Sequence, residues 1–209
     1  MEHIPAKSFH VLLIGGVSGV GKSATAAAVA RQFGIPWLQV DDLRLALQFS
    51  GLVSRERHPE LFFFLDQNDW RTSSEVYRDK LIKVGRIITG ALRIVIESHI
   101  ATGVSIVIEG DGILPEFAAT IACEYDEGIV RSVFIVTDDE DFLLANMLKR
   151  GRGIDPSAST EVRRTETRAK ALFSRWMERE ARRHGLPTIQ PLPWETLSER
   201  VLATFAHNP

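Results

Sequence analysis

An α/β fold built on a parallel sheet of about five strands flanked by helices is what the sequence predicts, and three observations carry that expectation. Apolar strand-like runs alternate with helix-like stretches along the chain, which implies parallel strands joined by right-handed crossovers. One run, VSIVIEG, holds the unbroken apolar stretch Ile106 to Ile108, the mark of a strand covered on both faces. A glycine-rich turn, GGVSGVGKS, lies between the first strand-like run and the first helix-like one.

HVLLIGG reads as a buried strand, and Lys22–Phe33 as a helix ending at Gly34. PWLQV is a short second strand, followed by the helix DLRLALQF, entered through Asp41 and Asp42. Residues 51–70 read as irregular, with LFFFL packed inward. Thr72, Ser73, Ser74 and Glu75 have capping-box spacing ahead of a long helix. On that helix Tyr77, Leu81, Val84, Ile88, Leu92 and Val95 recur at helical spacing and are expected in the core. VSIVIEG is the third strand and RSVFIVT the fourth, with a helix over Asp138–Lys149. The glycine-broken stretch RGRGIDPSAS precedes a basic amphipathic helix from about Thr160 to His184. PTIQ is a candidate fifth strand, and WETLSERVLATF a closing helix.

The 209 residues suit one domain with a real core, and 44% hydrophobic with 25% charged residues is ordinary for a globular chain. A formal net charge of -2 argues against generic nucleic-acid binding. The charge is uneven, however: residues 149–183 hold 11 of the 25 Lys and Arg but 5 of the 27 Asp and Glu. Such a segment suits either the handling of an anion or a solvated helix face. Cys123 is the single cysteine, so no disulfide framework and no cysteine metal site is expected. MEHIPAKSFH lacks the apolar core of a signal peptide, and no run approaches membrane-spanning length, so a reduced, cytoplasmic protein is expected.

Gly16 to Ser23 matches G-x-x-x-x-G-K-[ST] at the junction where its mechanism requires it. Gly16, Ser18, Gly19, Val20, Gly21, Lys22, Ser23 and Ala24 form the candidate phosphate cradle, with amides of about Gly19 to Ala24 pointing inward. Lys22 can reach β- and γ-phosphates, and the Ser23 hydroxyl can ligate Mg²⁺. ATP and Mg²⁺ are therefore the expected nucleotide and metal. No N-K-x-D guanine motif occurs. Asp41, at the carboxyl end of the second strand, stands where open α/β sheets place ligands. Its carboxylate can take a proton from an attacking hydroxyl, while Arg44, one turn on, can clamp an anionic group. The alternative is that Asp41 or Asp42 caps the helix and Arg44 is solvated.

IGGVSGVGKSATAAAVA, VDDLRLAL and IVIEGDGILP together resemble the small P-loop kinases related to adenylate, shikimate and gluconate kinases. Among these the chain is similar to the archaeal-type 2-phosphoglycerate kinases, from Val11 to about Pro193 and more loosely between residues 51 and 100. The resemblance implies one P-loop, nucleoside-monophosphate-kinase-like domain over 1–209. Its core would be 9–41, 104–149 and 185–209, with a helical substrate-binding insert over about 42–103 and an Arg-rich lid over about 150–184. It further implies phosphoryl transfer to a small anionic acceptor such as 2-phosphoglycerate. Polynucleotide 5′-kinases carry a similar D-D-x-R, there implying a base at Asp41 and a phosphate-holding arginine at Arg44. A non-catalytic ATP-binding switch is the third reading.

Glu109 stands at the Walker-B position, where the family more often has Asp, and could hold a water on Mg²⁺. Arg150 and Arg152, between flexible glycines, match lid arginines that meet the transferring phosphoryl group. Arg163 and Arg164 are weaker candidates on a generally basic helix. Asp42 and Asp111 are candidate acceptor contacts, Asp111 equally suiting the GDG turn. Arg71 is a candidate second anion clamp. Trp194 either borders the adenine pocket or is core. The partner expected is a small-molecule phosphate acceptor, with neither nucleic acid nor membrane.

Overall fold

The computed structural model describes residues 9–65, 73–150 and 158–205, the Arg150 side chain excepted. Five strands form one sheet in the order β2-β3-β1-β4-β5: β1 (Val11–Gly16), β2 (Trp37–Gln39), β3 (Ile106–Gly110), β4 (Val130–Ile135) and β5 (Thr188–Ile189). Every pairing is parallel. β1 and β3, which read as apolar runs, are buried at every position, as strands flanked on both sides must be. Register sets Gly15 opposite Gly110 and Gln39 opposite Glu109. The ends of β1, β2 and β3 thus share one rim of the sheet.

The helices are α1 (Lys22–Phe33), α2 (Val40–Phe49), α3 (Ser74–Thr102), α4 (Pro115–Cys123), α5 (Glu140–Arg150), α6 (Thr160–Arg183) and α7 (Leu197–Ala203). α1 packs on β1 and β3 and is backed by α7, while α6 runs against α3, α4 and α5. α1 ends at Gly34, whose φ of 63° is left-handed and favours glycine. The long helix α3 is capped by Ser73, whose Oγ accepts from the Val76 amide at 3.3 Å. A 3₁₀ turn at Pro59–Leu65 buries Leu61, Phe62 and Phe63 of the LFFFL run expected to pack inward, while Phe64 is half-buried and Leu65 is exposed.

Four details differ from the sequence reading. α4 was not anticipated: nine residues carry too little periodicity to stand out, though Pro115 at the first turn is a helix-start signal. β2 stops at Gln39, so Val40 opens α2, and Asp41 and Asp42 occupy its first turn rather than the strand end. An edge strand with one neighbour needs no longer run. On α3 the buried position is Ile96, with Val95 only half-buried against the core. α5 starts two residues late, because Asp139 Oδ1 accepts from the Phe142 amide at 2.9 Å and caps it.

Candidate active site

The glycine-rich loop leaves β1 at Gly16 (φ 139°) and enters α1 through Gly21 (φ 89°), with Gly19 between them at φ 95°. Two of these positions admit no side chain for reasons beyond φ. A Cβ on Gly16 would strike the Ile135 carbonyl, and one on Gly21 would strike the Trp194 ring. The loop passes close enough to its neighbours that only backbone lines it, which is what an amide cradle for an oxyanion requires. Val20 differs from its neighbours in the cradle: its side chain is fully buried in the core.

Lys22 opens α1 buried, and its Nζ donates to the Val17 carbonyl at 3.0 Å. Ser23 Oγ donates to Glu109 Oε1 at 2.6 Å, joining α1 to the end of β3. Glu109 is 3% exposed. A hydroxyl and a sheltered carboxylate in contact are hard oxygen donors of the kind Mg²⁺ takes, with phosphates and water completing its shell. Among the described residues no cluster of three or more His, Cys, Asp or Glu could hold a metal by itself.

Asp41 and Arg44 meet on α2: Arg44 Nη2 lies 3.2 Å from Asp41 Oδ1. Arg44 Nη1 also donates to Gln48 Oε1 at 3.0 Å, and Gln48 Nε2 donates to the Leu61 carbonyl. The guanidinium lies 4.8 Å over the Phe64 ring. Arg44 is therefore built in on three sides, not a solvated charge, whereas Asp41 is exposed. Asp111, after β3, carries a carboxyl raised above its ordinary range by burial and then by the Asp41 charge, with Lys22, Arg44 and Lys170 opposing.

Three cavities surround the loop. One of about 530 Å³ lies over Gly19, Gly21, Ser23, Thr25 and Ala28, walled by Asn146, Lys149 and Trp194. Trp194 is not core; it stacks on Phe142 at 5.5 Å between centroids and 20° between planes. Asn146 Nδ2 donates to the Gly19 carbonyl at 3.3 Å, holding α5 to the loop. A second cavity, of about 380 Å³, brings together Ser18, Lys22, Ser23, Asp41, Asp42, Arg44, Glu109 and Asp111. A third, also about 380 Å³, shares Ser18, Asp41, Arg44 and Asp111 with it and runs inward past Gln48, Phe64, Tyr77, Glu166 and Lys170.

Sequence reasoning missed the far wall of that third cavity. Tyr77 reads as core by spacing, and it is buried, yet it lines the cavity. Burial and the nearby Glu166 push its phenol well above the usual range, so it stays protonated. Glu166 and Lys170 sit in a helix whose Arg168, Arg175, Arg179 and Arg183 are exposed as expected. The one signal available was their spacing with buried Ala169 and Phe173. Phe173 and Trp176 stack and pack inward, as expected. Arg163 is half-buried and Arg164 exposed. Arg71, Arg152 and the side chain of Arg150 lie outside the described residues.

No family model matches the chain. A 2-phosphoglycerate kinase of Methanothermobacter thermautotrophicus is 27% identical across 93% of this chain and 65% of its own length. A 2-phosphoglycerate kinase of Thermococcus kodakarensis is 25% identical across 92% of this chain and 64% of its own. The chain thus spans just under two thirds of the length of these relatives. Among solved structures, a shikimate kinase from Acinetobacter baumannii in complex with shikimate superposes with a TM-score of 0.53 over 95% of this chain and 93% of that one, at 13% identity. That likeness is one of fold: five parallel strands flanked by helices, the P-loop NTPase architecture. No helix of the described residues is long and apolar enough to cross a membrane.

Proposed function

We propose that the chain transfers a phosphoryl group from Mg·ATP to a hydroxyl of a small anionic acceptor, with 2-phosphoglycerate the first candidate. The observation that carries the reading is the shared wall between two cavities. The one holding Lys22, Ser23 and Glu109 opens at Asp41, Arg44 and Asp111 into a second, closed by α3 and α6. A phosphate loop abutting a small polar chamber is what transfer between two bound molecules needs, because positioning supplies most of the catalysis. The named relatives support the choice of acceptor.

In this reading the loop amides from Gly19 to Ala24 hold the β- and γ-phosphates, and Lys22 exchanges the Val17 carbonyl for a phosphate oxygen. Ser23 and Glu109 hold the metal side. Magnesium, when bound, neutralises charge on the phosphate oxygens. The acceptor oxygen forms its bond to phosphorus as the bond to the departing ADP oxygen breaks, and the hydroxyl proton passes to the Asp41 carboxylate. Arg44 anchors the acceptor's anionic group, with Gln48 and Phe64 fixing its fork. Asp42 and Asp111 contact acceptor hydroxyls at the rim. Trp194 borders the nucleoside. Arg71 is a further acceptor clamp, and Arg150, which ends α5, and Arg152 stabilise transition-state charge.

The test is ATP consumption by the purified protein against 2-phosphoglycerate, other hydroxy acids, sugars and 5′-hydroxyl oligonucleotides, with product masses read directly. ADP formed only with 2-phosphoglycerate, which gains one phosphoryl group, is the expected result. ATP binding with no transfer to any acceptor overturns the proposal.

A further inference from the structure

The deep end of the acceptor cavity holds an arrangement that the function above does not use. Glu166 and Lys170 are one turn apart on α6, with Lys170 Nζ 3.0 Å from Glu166 Oε1, and both side chains are at most 7% exposed. The same Nζ donates to Met147 Sδ at 3.0 Å. Both charged residues line the acceptor cavity together with Arg44, and Met147 lines the adjoining phosphate cavity.

Three physical points make this more than a structural pair. A buried ion pair contributes little net stability, since desolvation offsets its attraction, and an apolar pair would serve packing as well. An ammonium has three donors, and a thioether is a weak acceptor for one of them. The group also borders a cavity rather than closed packing, and its charge is felt at Asp111 together with those of Lys22 and Arg44. Arg44 lines both the phosphate cavity and the acceptor cavity, whereas buried Lys170 lines the acceptor cavity and not the phosphate cavity.

Resting on the kinase reading, we infer that Lys170 is an anion clamp of the acceptor site beside Arg44: the two together select an acceptor that carries two anionic groups in addition to the reacting hydroxyl. On binding, an acceptor oxygen replaces the Met147 sulfur as a partner of Nζ, while Glu166 keeps the ammonium in place. Such an acceptor carries both a carboxylate and a phosphate ester, and a singly charged hydroxy acid or an uncharged sugar leaves one clamp unsatisfied.

The experiment is calorimetric titration of the full chain with 2-phosphoglycerate, glycerate and glycerol 2-phosphate, alongside steady-state transfer. Lys170→Met should weaken 2-phosphoglycerate binding about 10- to 100-fold, the loss of one hydrogen bond to a charged group, with the affinity for Mg·ATP unchanged. Of glycerate and glycerol 2-phosphate, each with one anionic group, the one whose binding is unaffected by the substitution identifies the group held by Arg44. The double variant Glu166→Gln, Lys170→Met leaves no lone buried charge and guards against a folding defect. If either variant binds 2-phosphoglycerate as the parent does, or loses Mg·ATP in equal measure, the clamp is overturned, while transfer by the parent chain would still uphold the kinase reading. Acceptor binding lost in both variants, with no transfer by the parent, supports the clamp and overturns the kinase reading. A parent chain that binds none of the three anions overturns both.

Discussion

Lys22 is the residue whose role is most sharply exposed to test. Its Nζ is buried and donates to the Val17 carbonyl. Lys22→Ala should lower transfer at least about 100-fold, the usual cost of a lost charge-stabilising donor, with circular dichroism unchanged. Turnover near that of the parent would refute the site. Asp111 makes a different prediction. Because burial and Asp41 raise its carboxyl, the native state keeps a proton that the unfolded chain has released. Stability therefore falls as pH climbs from the ordinary aspartate range through the raised value, then levels off. Asp111→Asn removes that slope, so its Tm should decline less over the same interval; parallel Tm profiles would count against it. At this scale the loop was readable because Gly16, Gly19, Gly21, Lys22 and Ser23 form a pattern with one mechanical purpose. Lys170 was not, since a lysine among arginines on a basic helix looks solvated until its neighbours in space are known.

Within α3, two glycines offer a comparison at the level of one element. A Cβ on Gly90 would meet nothing within 4 Å, whereas one on Gly85 would lie 2.8 Å from Leu114, which is fully buried. Alanine gains roughly 1 kcal/mol over glycine in a helix interior. Gly90→Ala should therefore stabilise by about that amount. At Gly85 the overpacking cost of about 1–3 kcal/mol exceeds the gain, so Gly85→Ala should destabilise. Urea unfolding of both variants decides it, and shifts of the same sign would show that Leu114 can yield. Long periodic elements such as α3 and α6 were evident in the sequence because their burial repeats over many turns. α4 and the true start of α2 were not. Nine residues hold too few turns to declare a period, and Val40 suits a strand until β2 is seen to be an edge.

Taken whole, the molecule carries little net charge, and the proposed acceptor site is a chamber rather than a track. A surface that follows a nucleic-acid backbone loses roughly 10³- to 10⁵-fold in affinity between 50 and 200 mM salt. Here kcat/KM for a small acceptor should change by less than about tenfold over that range, and a steep decline would favour an oligonucleotide acceptor. The α/β architecture was readable from strand and helix alternation alone. The packing of α6 on α3, with Glu166 and Lys170 lining one cavity beside Ser18, was not, because it depends on how segments distant in sequence meet. The proposed acceptor cavity and the cavity over Gly19 and Gly21, walled by Trp194, share no lining residue, and this has a kinetic corollary. A molecule seated against α3 and α6 does not obstruct the route past Trp194, and the converse holds too. On the proposed reading both substrates load in either order, double-reciprocal plots intersect to the left of the ordinate, and no phosphorylated form of the protein accumulates between them.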